Sequence, residues 1–342
     1  METTKDTKSA SLTIPAGAIS LLAENTDVLL KIDVGIAALT FDSKSLDFIR
    51  NQISSGDVSI EINPVDKSVL PAEVQSLLGS RPLYDFAVKT SNGAIEEFGT
   101  GYAYVSIPYN LEHGEEADAI VVYYVKNDGR AEAVRSVYNS AAKSADFITS
   151  HFSRYGVGYN KLSFNDVSSK EWFYRAVTYS AARGITTGTS ADAFSPNAPV
   201  TRGQFIVMLM RAYGIEPSIN TKDNFADAGN TYYTDYLAKA KELGITTGTG
   251  SNMFEPEKEI SRQDMFTMLY RALQEMGQLP KATSNKGLSS FRDRADISDY
   301  AVEAVESFVQ AGIISGTGEN LNPKGQSSRA QMVQVLYNLL SE

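Results

Sequence analysis

Gly184-Ile185-Thr186-Thr187-Gly188-Thr189 and Gly244-Ile245-Thr246-Thr247-Gly248-Thr249 are one six-residue stretch written twice, and Gly312-Ile313-Ile314-Ser315-Gly316-Thr317 is a third version of it. Working outward, the agreement widens. Twelve positions before the first glycine of each stretch stands an aromatic residue: Trp172, Tyr232 and Tyr300. Further upstream each copy opens alike, with Phe164-Asn165-Asp166-Val167, Phe225-Ala226-Asp227-Ala228 and Phe291-Arg292-Asp293-Arg294. Downstream a proline follows (Pro196, Pro256, Pro323), and then Thr201-Arg202-Gly203-Gln204, Ser261-Arg262-Gln263-Asp264 or Ser328-Arg329-Ala330-Gln331. Self-similarity at a fixed period marks an array of one supersecondary unit. Apolar residues at helical spacing over 172–182 and 202–213 make that unit helical.

Each recurring position has a structural reading and a functional one. Thr201, Ser261 and Ser328 are good N-caps, and Gln204 and Gln331 can complete a capping box; the same hydroxyls can equally face a ligand. The arginines are less easily dismissed. A cation in the first helical turn meets the positive end of the macrodipole, yet Arg202, Arg262 and Arg329 recur in all three copies. Arginine beside free N–H groups at a helix start suits a carboxylate or phosphate; the alternatives are a structural salt bridge or a stacking role. Gly184, Gly244 and Gly312 fit left-handed C-caps. Gly188, Gly248 and Gly316 are not explained by capping, and a missing side chain there lets a sugar approach the backbone. These loops lack the lysine of a phosphate-binding loop and follow a helix, which excludes a nucleotide site of that type.

Trp172, Tyr232 and Tyr300 can stack on sugars or anchor a helix in the core, and the apolar residues that follow favour the anchor. Asp166, Asp227 and Asp293 can tie a turn, and one aspartate per copy is too few oxygens for calcium. Met208, Met210, Met265, Met268 and Met332 read as core fillers.

These motifs resemble those of the S-layer homology family: the F-x-D opening, the aromatic before the first helix, the glycine loop and the [TS]-R-x-[QD] helix start. The family's usual last motif is T-R-A-E. This chain departs from it with Gln204, Asp264 and Gln331 at the fourth position and with Gly203 and Gln263 at the third. The resemblance implies three tandem repeats over 161–219, 220–286 and 287–342, folded as an all-α pseudo-threefold assembly with grooves between neighbours. It implies a bacterial cell-wall ligand, secondary cell-wall polysaccharide, commonly recognised at an N-acetylmannosamine bearing a pyruvate ketal. The Thr or Ser, the Arg and the loop glycines belong to the family's groove. One carboxylate per sugar would match one arginine per copy.

Residues 1–160 differ in texture. Residues 28–34, 58–62, 83–88, 102–109 and 119–125 are β-branched and aromatic, as strands are. Asn92-Gly93 and Asp128-Gly129 are candidate type I′ hairpin turns. Residues 44–52 and 71–78 read as short helices. The expectation is a β-sandwich-like domain with small helical insertions. His151-Phe152-Ser153-Arg154-Tyr155, Thr13-Ile14-Pro15 and Arg81-Pro82-Leu83-Tyr84-Asp85 resemble β-rich domains found beside S-layer homology repeats in surface proteins of Firmicutes.

Composition bounds the function. The 342 residues exceed what one core needs. A formal net charge of −10 argues against nucleic acid and against docking on an anionic membrane. The absence of cysteine removes disulfides and thiol chemistry. No apolar run is long enough to span a bilayer, and the polar stretch 1–10 does not read as a signal peptide, so an exported protein would be represented by a mature or excised piece. The expectation is an extracellular, wall-attached protein with no catalytic residues, cofactor or metal, whose N-terminal domain is a spacer or interaction unit able to self-associate. A wall-active glycan enzyme with its chemistry in that domain and an S-layer lattice subunit are the competing readings. The third loop is one residue shorter than the others (17 positions from Gly312 to Arg329, 18 from Gly184 to Arg202), which predicts unequal grooves with repeat 3 the outlier.

Overall fold

The computed structural model describes residues 9–25 and 28–341. Most of the polar N-terminal stretch lies outside them. The chain divides into two compact units, residues 1–161 and 162–342.

The N-terminal unit consists of β1 (Ala10–Pro15), α1 (Ala16–Ala23), β2 (Leu30–Asp33), β3 (Ala38–Phe41), α2 (Ser43–Asn51), β4 (Asp57–Pro64), α3 (Ala72–Leu78), β5 (Leu83–Thr90), β6 (Gly93–Ile95), β7 (Ala103–Pro108), β8 (Ile120–Val125), β9 (Ala131–Val134), β10 (Ser136–Asn139), β11 (Ser144–Thr149) and β12 (Arg154–Tyr159). One antiparallel sheet has the order β1-β4-β5-β12-β8-β9, with β6 paired to β5; the other has the order β10-β11-β7-β3-β2. Alternation drives the layering. Val58, Ile60 and Ile62 of β4 and Ala103, Val105 and Ile107 of β7 are buried every second residue, as one-sided strands require. The buried faces of both sheets contribute to one core. Phe41, Phe98 and Phe152 meet edge to face in it, with ring centroids 4.9–5.7 Å apart.

The expected strands and the helices α2 and α3 are present. The Asp42 carboxylate caps α2 by accepting from Ser45 N at 2.8 Å. The turns differ from expectation. Thr90 pairs directly with Gly93, so the β5–β6 turn is centred on Ser91-Asn92, one residue earlier than Asn92-Gly93. Between β8 and β9, Gly129 alone has positive φ, +87°, and Lys126 N donates to Arg130 O at 2.8 Å. That loop has three residues with glycine in the left-handed position, a commoner alternative to type I′. Helix α1 carries no capping side chain and contains Gly17, which is why its sequence gives no helical signal.

The C-terminal unit is helical. Its main helices are α4 (Tyr174–Ala182), α5 (Arg202–Ala212), α6 (Thr234–Glu242), α7 (Arg262–Glu275), α8 (Val302–Gln310) and α9 (Arg329–Leu340). Each repeat supplies two, and the first helix of a repeat packs on the second helix of another: α6 on α5, α8 on α7, and α4 on α9. The five methionines named above are buried in these second helices. The first helices all end in the same way. Gly184, Gly244 and Gly312 have φ of +66°, +69° and +76°. The following isoleucine donates back to Ser180, Ala240 or Phe308 O at 2.9–3.0 Å. This is the Schellman arrangement, which satisfies carbonyls the helix would otherwise orphan.

Candidate functional site

The second helices begin with the hydroxyl residues that the spacing predicts as caps. Thr201 Oγ1 accepts from Gln204 N at 3.3 Å, Ser261 Oγ from Asp264 N at 3.2 Å, and Ser328 Oγ from Gln331 N at 3.3 Å. Reciprocal capping boxes form in α5 and α9, where the fourth residue is glutamine.

Next in line are the three arginines, and each reaches out of its own repeat. Arg202 Nε donates to Phe254 O, Arg262 Nε to Leu321 O, and Arg329 Nε to Phe194 O, all at 2.8 Å. Repeat 1 is thus tied to 2, 2 to 3, and 3 back to 1. Backbone bonds follow the same circuit: Arg202 N to Lys258 O, Arg262 N to Gly325 O and Arg329 N to Ala198 O, each at 2.9 Å. Arg202 and Arg329 are only 4% and 6% exposed and lie over the rings of Phe254 and Phe194, 4.6 and 4.7 Å from the centroids. Arg262 is half-buried. Burial lowers all three guanidinium pKa values, partly offset by nearby carboxylates.

The terminal nitrogens are engaged to different degrees. Arg202 Nη1 lies 3.2 Å from Asp264 Oδ2. Arg329 Nη2 donates to Thr187 O at 2.7 Å and more weakly to Thr186 Oγ1 at 3.4 Å. Among the described residues, the Nη atoms of Arg262 meet no hydrogen-bond acceptor. Each arginine therefore fixes a repeat boundary through Nε, and the three differ in what remains for a ligand.

The carbonyls that receive the arginines are held by the aspartates. Asp166 accepts from Phe194 N and Ser195 N, Asp227 from Phe254 N and Glu255 N, and Asp293 from Leu321 N and Asn322 N, at 2.7–2.9 Å. Ser195, Glu255 and Asn322 have φ of +57°, +59° and +53°, a conformation that L side chains adopt only when the surroundings enforce it. Burial opposes ionisation of Asp166. The two amide donors and the Arg329 charge outweigh it and hold the carboxyl below its ordinary range. The expected turn-tying role is present, and it extends further, since it presents a carbonyl to the neighbouring repeat. The sequence signal for that extension was the recurrence of Asp in every copy, 29 or 30 positions before the proline.

Gly188, Gly248 and Gly316 have an intramolecular reason to be glycine. A Cβ on each would lie 2.2–2.6 Å from a loop carbonyl oxygen and 2.7–2.9 Å from the ring of Phe164, Phe225 or Phe291. The aromatic trio behaves differently from the favoured core-anchor reading. Trp172, Tyr232 and Tyr300 are 60%, 59% and 52% exposed, while the next residues, Phe173, Tyr233 and Ala301, are buried and do the anchoring. Tyr232 and Tyr300 lie close enough to Arg329 and Arg202 to influence their charge. Those two arginines therefore stand near side chains drawn from both other repeats. Burial, and then the hydrogen bond to Asp264, push the Tyr300 hydroxyl up to about 12.

The N-terminal unit has a separate open cleft of about 840 Å³ lined by Asp85, Glu96, Glu97, Tyr124 and His151 among others. Burial lowers the pKa of His151, whose Nε2 is 3.1 Å from the Tyr155 hydroxyl. Among the described residues no group of three or more histidines and carboxylates is placed to hold a metal, and no helix is long and apolar enough to cross a membrane.

Residues 163–206, 224–266 and 290–333 each match the family model of the S-layer homology domain. The C-terminal unit thus carries three S-layer homology domains in tandem, as the glycine loops and helix starts imply. An amylopullulanase of Thermoanaerobacterium thermosulfurigenes is 26% identical over 323 residues, 94% of this chain and 16% of the relative. An endoglucanase of Bacillus sp. (strain KSM-635) is 34% identical over 186 residues, 53% of this chain and 19% of the relative. The S-layer protein sap of Bacillus anthracis is 26% identical over 174 residues, 51% of this chain and 21% of the relative. The chain spans about a fifth or less of the length of these relatives.

Proposed function

We propose that this chain is an extracellular attachment module that holds its parent protein non-covalently on the bacterial cell wall. Its ligand is secondary cell-wall polysaccharide, bound through a carboxylate-bearing sugar such as a pyruvate-ketal N-acetylmannosamine, in grooves between repeats arranged about a pseudo-threefold axis. The three S-layer homology domains and the S-layer relative support the coarser part of this reading, association with the cell surface. The observation that carries the finer part is the arginine trio. One guanidinium per repeat is oriented through Nε at a boundary between repeats; the exposed Tyr300 is joined to Arg202 through Asp264, and the exposed Tyr232 lies within electrostatic range of Arg329. A guanidinium whose orientation is fixed through Nε keeps Nη donors for a carboxylate, both of them at Arg262 and one each at Arg202 and Arg329, and an aromatic face suits the apolar side of a sugar ring. The circuit of bonds from repeat 1 to 2 to 3 to 1 supports the threefold arrangement. The N-terminal unit serves as a spacer or interaction unit, able to self-associate, and has no catalytic role.

Co-sedimentation of the full chain with purified wall polysaccharide, intact or chemically depyruvylated, tests this. The expected result is retention on intact polymer and loss on the depyruvylated one. Equal retention on both removes the carboxylate from the mechanism. Turnover of wall glycans by the full chain would overturn the non-catalytic reading.

A further inference from the structure

One side chain sets the start of α7 apart from its two counterparts. In α5 and α9 the fourth motif residue is glutamine, and its side-chain oxygen folds back to the cap. Gln204 Oε1 accepts from Thr201 N at 3.2 Å, and Gln331 Oε1 from Ser328 N at 3.1 Å. In α7 the position holds Asp264, one methylene shorter, and the return bond is absent. Its carboxylate crosses the repeat boundary instead. Oδ2 lies 3.2 Å from Arg202 Nη1, and Oδ1 accepts from the Tyr300 hydroxyl at 2.7 Å. Gln263 donates to the same hydroxyl at 2.9 Å, whereas Gly203 and Ala330 at the equivalent positions have no side-chain amide. A cavity of about 370 Å³ opens here, lined among others by Arg202, Lys258 and Lys324 and by the carboxylates of Glu255, Glu259 and Asp264; of these carboxylates Asp264 is the one hydrogen-bonded to Arg202, while Glu255 pairs with Lys258 at 2.8 Å.

We propose that Asp264 is a built-in carboxylate that fills the anion site of Arg202, so that the first groove refuses carboxylate-bearing sugars while the grooves of Arg262 and Arg329 accept them. This rests on the reading above that the arginine trio recognises a carboxylate. The chemistry is competition. Asp264 is tethered by its helix beside Arg202, and a tethered group competes at an effective concentration on the order of millimolar or above. A second anion must displace it or sit beside it, and like charges at such range repel. The other arginines have no such rival: Arg329 Nη2 is met by a carbonyl and a hydroxyl, both neutral. The residue type at the fourth motif position of the adjoining repeat, aspartate or glutamine, thereby sets which grooves take an acid. This places the odd groove at Arg202, on a side-chain difference, and not at the shorter loop of repeat 3.

Isothermal calorimetry of the full chain with the methyl glycoside of pyruvate-ketal N-acetylmannosamine decides it. Asp264→Gln gives α7 the side chain that its counterparts carry, and the expected result is one additional ligand equivalent per chain relative to wild type. Adding Arg202→Ala to that variant should remove the gain. Asp264→Asn serves if the glutamine variant melts early. Measurable wild-type binding with unchanged stoichiometry in both Asp264 variants overturns the proposal. Absence of binding by every variant refutes the underlying carboxylate reading, and the proposal falls with it.

Discussion

In the N-terminal unit the interior is built from aromatic and aliphatic side chains, Phe41, Phe98 and Phe152 among them, and the ion pair of Arg81 with Glu115, only part-buried, involves residues of connecting segments. In the C-terminal unit the guanidinium groups of Arg202 and Arg329 are themselves buried. The difference follows from how each architecture satisfies its backbone. A sheet joins strands distant in sequence through the ladder itself, so its interior can be left to apolar contact. Helices satisfy their own backbones, and the connecting loops then bring buried carbonyls to the repeat boundaries, where isolated bridges such as Thr201–Glu259, Ser261–Gln326 and Pro199–Ser328 stand in place of a continuous ladder. A buried carbonyl needs a donor, and arginine supplies one together with an aromatic contact. Polar ties are thus the natural mortar of the repeat unit and a minor element in the sheet unit.

The largest expected effect tests the apolar half of that contrast. Phe41→Ala removes a fully buried ring from the sheet core and should cost about 3–5 kcal/mol in the urea transition of the N-terminal unit. A loss below about 1 kcal/mol would show that this core is not held by packing. Arg329→Ala comes second. It strips donors from Phe194 O and Thr187 O, and loss of charged hydrogen bonds to buried acceptors should cost about 2–4 kcal/mol. Arg329→Lys should not restore the stability, because an ammonium cannot reproduce the Nε–Nη fork; full rescue by lysine would reduce the tie to simple charge.

Asp166→Asn is expected to be smaller, about 1 kcal/mol once the exposure of the group is allowed for. It also has a pH signature. The folded carboxyl titrates below its ordinary value of 3.8, so the stabilisation is complete above that value and is lost as pH falls through the lower, folded pKa. Wild type and variant should therefore converge in melting temperature toward acid pH. Parallel curves would mean that the charge of Asp166 is irrelevant to the clamp. Smallest in stability is Trp172→Ala. An exposed ring away from the core should cost under about 0.5 kcal/mol, while retention on wall polysaccharide falls. If stability drops and binding persists, the ring belongs to the fold and not to the groove.

The repeat, its helix caps and its Schellman glycines were legible because they are local: a hydroxyl three residues before a glutamine, or a glycine twelve after an aromatic, needs no knowledge of the partner. The arginines were legible as anomalies. Their destinations were not, because Phe194 and Arg329 are 135 positions apart in sequence and no spacing rule connects them. The core anchor lies one residue beyond the recurring aromatic, at Phe173 or Tyr233, and an aromatic pair does not announce which member faces inward. Helix α1 is not legible in the sequence because its amphipathic signal is weak and Gly17 interrupts it. Asp264 was visible only as a departure from a motif. That it crosses to Arg202 follows from a difference of one methylene, which acquires meaning only when the facing repeat is in place.

The circuit of arginine-to-carbonyl ties has a topological corollary. A solenoid presents two open ends and can lengthen by accretion. Here the last copy donates to the first, so a fourth copy would find no vacant carbonyl, and two copies would strand one arginine and one acceptor. Copy number is quantised by closure, and the order of copies along the chain is not. A circular permutant of the three-domain unit beginning at the second domain would keep every tie.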